Sequence, residues 1–268
     1  MANIHATAVV DPSAKLGTNV QIGPYCVVGE GVELGNGVVI GSHSIVGGRA
    51  VLGQGCRVSP FVSIGEPPQD IKYRDEPSSV TIGPNCVIRE NVTIHRGTET
   101  GKMMTRVGAN CFLMVGAHIA HDCNIGDDVT LVNGVTLGGH VAVGDGAIVG
   151  GLSAVHQFVR IGAYSFVGGM SGVAADLIPF GMAVGNRANL SGLNIVGLKR
   201  KGFPREQIHE LRQAYRMLFS SEGTLKERLE DVDSMFSKNP LAKQIIDFIK
   251  SDTDRSFCVP NNVATPSR

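Results

Sequence analysis

The amino-acid sequence predicts a parallel β-helix followed by a small α-helical domain, on three observations. Aliphatic residues recur at every sixth position over long stretches. The residue after each of these markers is usually glycine, and the residue two before it is small or β-branched, as in Val20, Cys26, Val32, Val38 and Ser44. Near residue 190 this pattern gives way to helical periodicity.

The markers run Ile4, Val10, Leu16, Ile22, Val28, Leu34, Ile40, Val46, Leu52, Val58 and Ile64, resume at Ile82, Ile88 and Ile94, and continue from Val107 through Leu113, Ile119, Ile125, Leu131, Leu137, Val143, Val149, Val155, Ile161, Val167 and Val173. A six-residue repeat is the signature of a solenoid in which each hexad is one short strand, and three hexads make a triangular coil of about 18 residues. The markers then stack inside, and the glycines after them are expected to supply the positive φ of tight corners. This domain spans residues 1–190 and the helical one residues 191–268.

Two breaks interrupt the period. Asp70 and Glu76 occupy marker positions between Ile64 and Ile82, so residues from about 70 to 81 leave the coil as a loop. Extra residues, Thr100 to Arg106, are accommodated between Ile94 and Val107. Counting hexads in threes places the hexads of Ile64, Ile94, Ile119, Leu137 and Val155 on one face, so both loops emerge at the same edge.

The C-terminal region reads as three amphipathic helices. Pro204 opens one carrying Ile208, Leu211, Tyr215 and Leu218. Thr224 and Glu227 form a capping box before Leu225, Leu229, Val232 and Phe236. Asn239-Pro240 starts a third with Leu241, Ile245, Phe248 and Ile249. The segment from Phe257 to Arg268 is polar and proline-bearing and is expected to fray.

Composition points to a cytoplasmic protein without nucleic-acid or membrane partners. Twenty-four basic residues balance 24 acidic ones, so no global field favours a polyanion. There is no signal-peptide pattern at Met1 and no run of 18 apolar residues. The six cysteines include no CxxC pair, and Cys26, Cys56, Cys86, Cys111 and Cys123 fall at the small position before a marker, as buried hydrophobes. The phase of Cys123 turns it inward, where a thiol is inert.

The histidines carry the chemistry. His121, His140 and His156 lie in the Ile119, Leu137 and Val155 hexads, one coil apart and just past the marker, with His118 at the neighbouring corner. With coils about 4.8 Å apart, they form a column within reach of one substrate. Asp122, Gln157 and the loop residues Gln69, Asp70 and Lys72 can reach the same line. The alternative for the column is structural filler, which a clustered polar edge beside two loops does not require; His5, His43 and His209 read as ordinary surface side chains. Apolar outward residues such as Val9, Val27, Val39 and Val87 point to three-fold self-association that leaves the histidine edge in a cleft between subunits.

Several motifs together resemble the UDP-N-acetylglucosamine O-acyltransferase family over essentially the whole length. They are Ser63-Ile-Gly-Glu-Pro-Pro-Gln-Asp-Ile-Lys-Tyr73, Thr93-Ile-His-Arg-Gly-Thr98, His118-Ile-Ala-His-Asp-Cys123, Gly139-His-Val141, Ala154-Val-His-Gln-Phe158 and Asn194-Ile-Val-Gly-Leu-Lys-Arg-Lys-Gly-Phe203. The resemblance implies an all-β left-handed parallel β-helix, although a right-handed crossover is the general preference. It implies transfer of an R-3-hydroxyacyl group from acyl carrier protein to the glucosamine 3-hydroxyl of UDP-N-acetylglucosamine, the first step of lipid A synthesis, by a homotrimer that needs no cofactor or metal.

An alcohol needs a positioned base, and His121 supported by Asp122 fits that role. The resemblance implies that the Gly139 N–H, with His140 nearby, receives the oxyanion. It further implies that Gln69, Asp70 and Lys72 contact the sugar and hydroxyacyl group, and that His118 and His156 help hold the substrates. Gln157, Asn194 and Arg200 would hold the nucleotide end, the guanidinium suiting a diphosphate. Lys199, Arg200, Lys201 and Arg205 form a basic patch suited to the acidic carrier protein. Gly169 falls where side-chain size limits the acyl channel and leaves room for a longer chain. The chain departs from its relatives at Val196, where an acidic residue is common, and at Arg187, where a His is common at the distal end of that channel.

Three other readings compete. The N-acyltransferase of the same pathway carries an additional N-terminal uridine-binding domain, and here the repeat starts at Ile4. A γ-class carbonic anhydrase would hold zinc on three histidines, but has no place for the helical domain or the Gln69-Asp-Ile-Lys72 loop. A purely structural β-helix leaves the polar edge unexplained.

Overall fold

In a computed structural model, described for residues 1–251, 255–261, the chain winds into a triangular prism of three parallel sheets. The first sheet begins with Asn3–Ile4, the second with Val9–Val10 and the third with Lys15–Leu16, and every third strand in sequence returns to the same sheet. Registers match marker to marker, as in Ile22↔Ile40 and Leu113↔Leu131. Most strands are two residues long, with the marker buried and the residue before it turned out. Leu52, Ile88, Ile94, Leu113, Ile119, Leu131 and Leu137 are 1% exposed or less. The small residues two before them complete the interior, so the coil has no room for a larger side chain there.

The corners differ from expectation. Positive φ falls on the third residue after most markers, for example at Asn19, Tyr25, His43, Asn85, Asp122, His140 and Phe158. The glycines directly after the markers have another reason to be there. A Cβ at Gly35 would lie 2.6 Å from the Gln54 nitrogen, and one at Gly53 the same distance from that of Pro84. At Gly35 and Gly53 glycine is therefore demanded by the close stacking of successive coils rather than by a left-handed backbone.

Both insertions leave the corner between the second and third sheets. The first spans residues 67–78, between strands Ser63–Glu66 and Ser79–Ile82. The second spans residues 96–103 rather than 100–106. Met104–Val107 is already strand, paired in register with Ser79–Ile82, because Thr105 and Val107 both turn inward.

Strand Gly181–Val184 still pairs in parallel with Phe166–Val167, and then turns back antiparallel onto Asn189–Leu193, ending the solenoid. Among the described residues four helices follow, one more than the periodicity indicated. The short α1, Ile195–Arg200, is capped by Asn194, whose side chain accepts from the Gly197 N–H. Helix α2 is Arg205–Leu218, α3 is Leu225–Phe236 with the Thr224/Glu227 capping box, and α4 is Pro240–Lys250 capped by Asn239. None is long and apolar enough to cross a membrane.

Residues 256–259 do not fray. The Asp176 N–H donates to the Ser256 carbonyl and the Asp176 carbonyl accepts from the Cys258 N–H, Leu190 donates to the Val259 carbonyl, and Cys258 and Val259 are buried. The segment acts as an extra strand on the last coil, which would otherwise expose its ladder. Residues 262–268 of the segment expected to fray lie outside the described residues. Arg160 fastens the helices to the same coil: it pairs with the fully buried Asp176 at 2.7 Å, donates to the Ser251 hydroxyl at 2.6 Å and lies 4.2 Å over the Phe248 ring.

Candidate active site

At the corner where both loops emerge, Asp122 is held as a buried carboxylate. It sits on the left-handed corner residue, φ 59°, with its side chain 1% exposed. The 96–103 loop folds back over it. Oδ2 accepts from the Thr98 hydroxyl at 2.6 Å and the Thr98 N–H at 3.1 Å, and Oδ1 accepts from the Lys102 N–H at 3.0 Å. A Cβ at Gly101 would overlap the carboxylate, so glycine in this loop makes the cradle possible. The Asp122 N–H donates to the buried Thr105 hydroxyl at 2.8 Å. Burial works against the charge, but the bonds from His121, Thr98 and Lys102 outweigh it and hold the carboxyl below its ordinary pKa.

His121 Nδ1 lies 2.8 Å from Asp122 Oδ2. An ionised carboxylate only accepts, so Nδ1 carries the proton and Nε2 presents a lone pair. The ring of His121 packs against Gly139, where a Cβ would come within 2.6 Å of both Cε1 and Nε2. The Gly139 N–H makes no hydrogen bond among the described residues. The fold explains why: in a regular coil the second position after the marker lies outside the backbone ladder, its N–H meeting only a side chain of the next coil where one is offered, as at Thr18, Ala109 and Asp127, and Pro12, Pro24, Pro60 and Pro84 occupy it elsewhere. A base and a free backbone donor are thus adjacent.

His140 completes the group. Its ring meets that of His121 edge-on at 5.1 Å, and its Nε2 is 3.9 Å from Asp122 Oδ2. Burial lowers its pKa and the His121 charge adds to this, while Asp122 and Asp70 act in the opposite sense. Beneath these, the outward face of the second sheet carries His118, whose Nδ1 is 2.7 Å from Thr93 Oγ1. Burial, followed by His121, pushes its pKa down as well.

The vertical column expected of His121, His140 and His156 is not what forms. The three residues stand two, three and one positions after their markers, and stacking joins equal offsets only. The column through His140 therefore runs from Asp122 to Phe158, which stacks on it at 4.4 Å and 6°. The position above His121 is Gly139, and above that the exposed Gln157. His156 lies apart, exposed, with Nδ1 3.0 Å from Arg255 Nη2. With Arg187 and Asn189 it lines a cavity of about 440 Å³ over the last strands of the second sheet.

The remaining residues are dispersed. Gln69 and Lys72 are exposed on the 67–78 loop, and Asp70 Oδ1 accepts from the Lys72 N–H at 2.9 Å. Gly169 is exposed beside Met170 at the corner between the first and second sheets. Asn194 and Arg200 line a cavity of about 420 Å³ between α1 and the first sheet, with Tyr164, Phe166 and Val196. Asn194 is engaged there in two structural bonds, from the Gly197 N–H and to the Tyr164 carbonyl. Lys199, Arg200, Lys201 and Arg205 are all exposed.

Sequence reasoning did not single out Thr98, Thr105, Phe158 or His95. The first was legible as a hydroxyl between two glycines, Gly97 and Gly101, inside a break in the period. Phe158 follows from counting offsets rather than hexads. His121, Asp122 and His140 are close enough to share a metal ion. Both Asp122 oxygens, however, already accept N–H and O–H donors, which a cation would have to displace. Cys123 faces the interior, where burial raises its pKa to about 12.

The C-terminal region, residues 176–258, matches the family model described as UDP-N-acetylglucosamine O-acyltransferase, domain 2, and residues 104–139 match that of the bacterial transferase hexapeptide. A Caulobacter vibrioides protein named acyl-[acyl-carrier-protein]–UDP-N-acetylglucosamine O-acyltransferase is 50% identical over 96% of this chain and 98% of its own length. The protein of that name from Bartonella henselae is 45% identical over 96% of this chain and 94% of its own. Among solved structures, the UDP-N-acetylglucosamine acyltransferase of Francisella novicida superposes with a TM-score of 0.93 at 37% identity, covering 97% of this chain and 95% of that one. That of Moraxella catarrhalis gives 0.91 at 42%, covering 95% and 99%.

Proposed function

The chain belongs to the UDP-N-acetylglucosamine O-acyltransferase family, and from that premise we propose how its residues transfer an acyl group from acyl carrier protein to UDP-N-acetylglucosamine in lipid A synthesis. The donor is an R-3-hydroxyacyl thioester and the acceptor the glucosamine 3-hydroxyl. The hydroxyl oxygen attacks the thioester carbon while its proton passes to His121 Nε2. Asp122, bonded to Nδ1 at 2.8 Å, stabilises the imidazolium that forms. The oxyanion receives the Gly139 N–H, with His140 nearby. Collapse of the tetrahedral intermediate breaks the C–S bond, and the carrier thiol leaves with the proton from His121. No covalent enzyme intermediate is needed. The observation that carries this reading is a buried His–Asp pair beside a backbone N–H that the fold leaves unused.

Substrate contacts are assigned to Gln69, Asp70, Lys72, His118, His156 and Gln157, the nucleotide end to Asn194 and Arg200, and the acyl channel to Gly169 and Arg187. The working enzyme is a cytoplasmic homotrimer. His121 lies at the corner of the second and third sheets, whereas Asn194 and Arg200 lie over the first, so one copy holds only part of the site. Closing three copies, second sheet against first, joins the two parts and turns the remaining corner to the axis. That corner is apolar and exposed: Tyr25, His43 and Phe61 stack at 5.0 and 5.1 Å, with Leu152 and Met170 beyond. Sedimentation showing a monomer at micromolar concentration would remove the trimer.

The reaction is tested by mass spectrometry of the nucleotide sugar after incubation with a panel of 3-hydroxyacyl carrier proteins. Wild type should add a hydroxyacyl mass and His121→Ala should not. Product from the variant at the wild-type rate overturns the base assignment, and no product with any donor overturns the reaction.

A further inference from the structure

His95 is a large polar side chain where the flanking coils carry Gly47, Gly65, Ala120 and Gly138. It ends strand Thr93–His95, where the chain enters the loop that cradles Asp122, and is 6% exposed. Its ring meets that of His118 at 4.9 Å and 79°. Its Nδ1 is shielded from solvent and has no hydrogen-bond partner among the described residues.

An unpaired buried nitrogen costs the fold its desolvation, a cost that an apolar ring such as phenyl does not carry. Burial, then the charges of His118 and His121, push the pKa of this imidazole down to about 4, so it is neutral at neutral pH and does not compete with His121 for the proton. What remains is a neutral hydrogen-bonding group, already stripped of water, against the side chain expected to hold the sugar nucleotide. A bond made there on binding is opposed by little further desolvation.

We propose that His95 is a further substrate-contacting residue, whose imidazole pairs with a polar N–H or O–H group of the N-acetylglucosamine lying against His118. The inference rests on the acyltransferase reading above. His95→Phe keeps the ring and removes the nitrogen. It should raise the melting temperature and raise KM for UDP-N-acetylglucosamine about tenfold, equivalent to about 1.4 kcal/mol. KM for the acyl carrier protein and the shape of the kcat–pH profile should stay as in wild type. His95→Asn, which returns a polar atom near the Nδ1 position, should recover most of the lost affinity.

A His95→Phe enzyme with wild-type KM overturns the proposal, as does a KM rise confined to the carrier protein or a displaced pH profile. A merely structural role would lower stability and leave KM unchanged. If His95→Phe fails to fold, ¹⁵N resonances of the His95 ring in wild type decide: they should move on titration with UDP-N-acetylglucosamine, and their constancy overturns the contact. Absence of product with wild type would instead count against the acyltransferase reading.

Discussion

Replacing Gly139 with alanine isolates the placement of the base from its chemistry. The added Cβ would sit 2.6 Å from Cε1 and Nε2 of His121 and 3.2 Å from Nδ1. Carbon atoms in contact settle at about 3.5–4.0 Å, so the imidazole must withdraw by about 1 Å. That movement pulls against the 2.8 Å bond to Asp122 and towards the ring of His140, 5.1 Å away. A displacement of about 1 Å at a reacting group costs about 100-fold in rate, or about 2.7 kcal/mol on the barrier. The Gly139 N–H survives the substitution, so the loss is assigned to the base rather than to the oxyanion donor. Single-turnover acyl transfer at saturating substrates should show kcat reduced about 100-fold, with both KM values and the melting temperature little changed. A Gly139→Ala enzyme with wild-type kcat would show that this contact does not set the His121 ring, and the geometric argument would fail.

Thr98→Val removes the 2.6 Å bond to Asp122 and leaves the shape, which should destabilise by about 1.5–3 kcal/mol, read as a lower urea midpoint at pH 7. The Asp122 pKa is lowered, so its contribution is present above the ordinary value of 3.8 and lost as pH falls through the folded value; Thr98→Val should bring that loss to higher pH in an acid titration followed by circular dichroism. His95 has the same sense of dependence, in a higher pH window. With a folded pKa of about 4 against an ordinary 6.5, the unfolded chain binds its proton first, so stability falls on acidification from about pH 6.5 to 4, and His95→Phe should flatten that slope in urea melts at pH 7 and 5. Arg160→Met takes the guanidinium from the buried Asp176 carboxylate and should cost about 3–5 kcal/mol, with calorimetry expected to show the helical domain loosening first. A wild-type thermogram would exclude Arg160 as the fastener.

Much of the fold was legible because the hexad repeats its instruction locally. Each marker settles its own strand, and the capping residues Thr224, Glu227 and Asn239 act within one helical turn. The short α1 was missed because six residues offer too little period to read. In the site, His121 and Asp122 were legible as neighbours in a motif. Their geometry was not, since counting hexads told which face a residue shares but not which offset stacks on which. Hence His156 was placed in a column that Phe158 occupies, and the glycines after the markers were given a corner's role when close stacking explains them.

The sequence by itself determined the coil, the inward and outward alternation, the edge from which both loops leave and the starts of α2, α3 and α4, because these follow from periodicity and near-neighbour chemistry. Only the tertiary structure decided that the 96–103 loop folds back to cradle Asp122, that His95 abuts His118, and that residues 256–259 close the last coil. Those contacts join residues some 24, 23 and 82 positions apart, as in Thr98–Asp122, His95–His118 and Asp176–Cys258. They depend on how complete coils stack and where space is left between them, which no local pattern encodes.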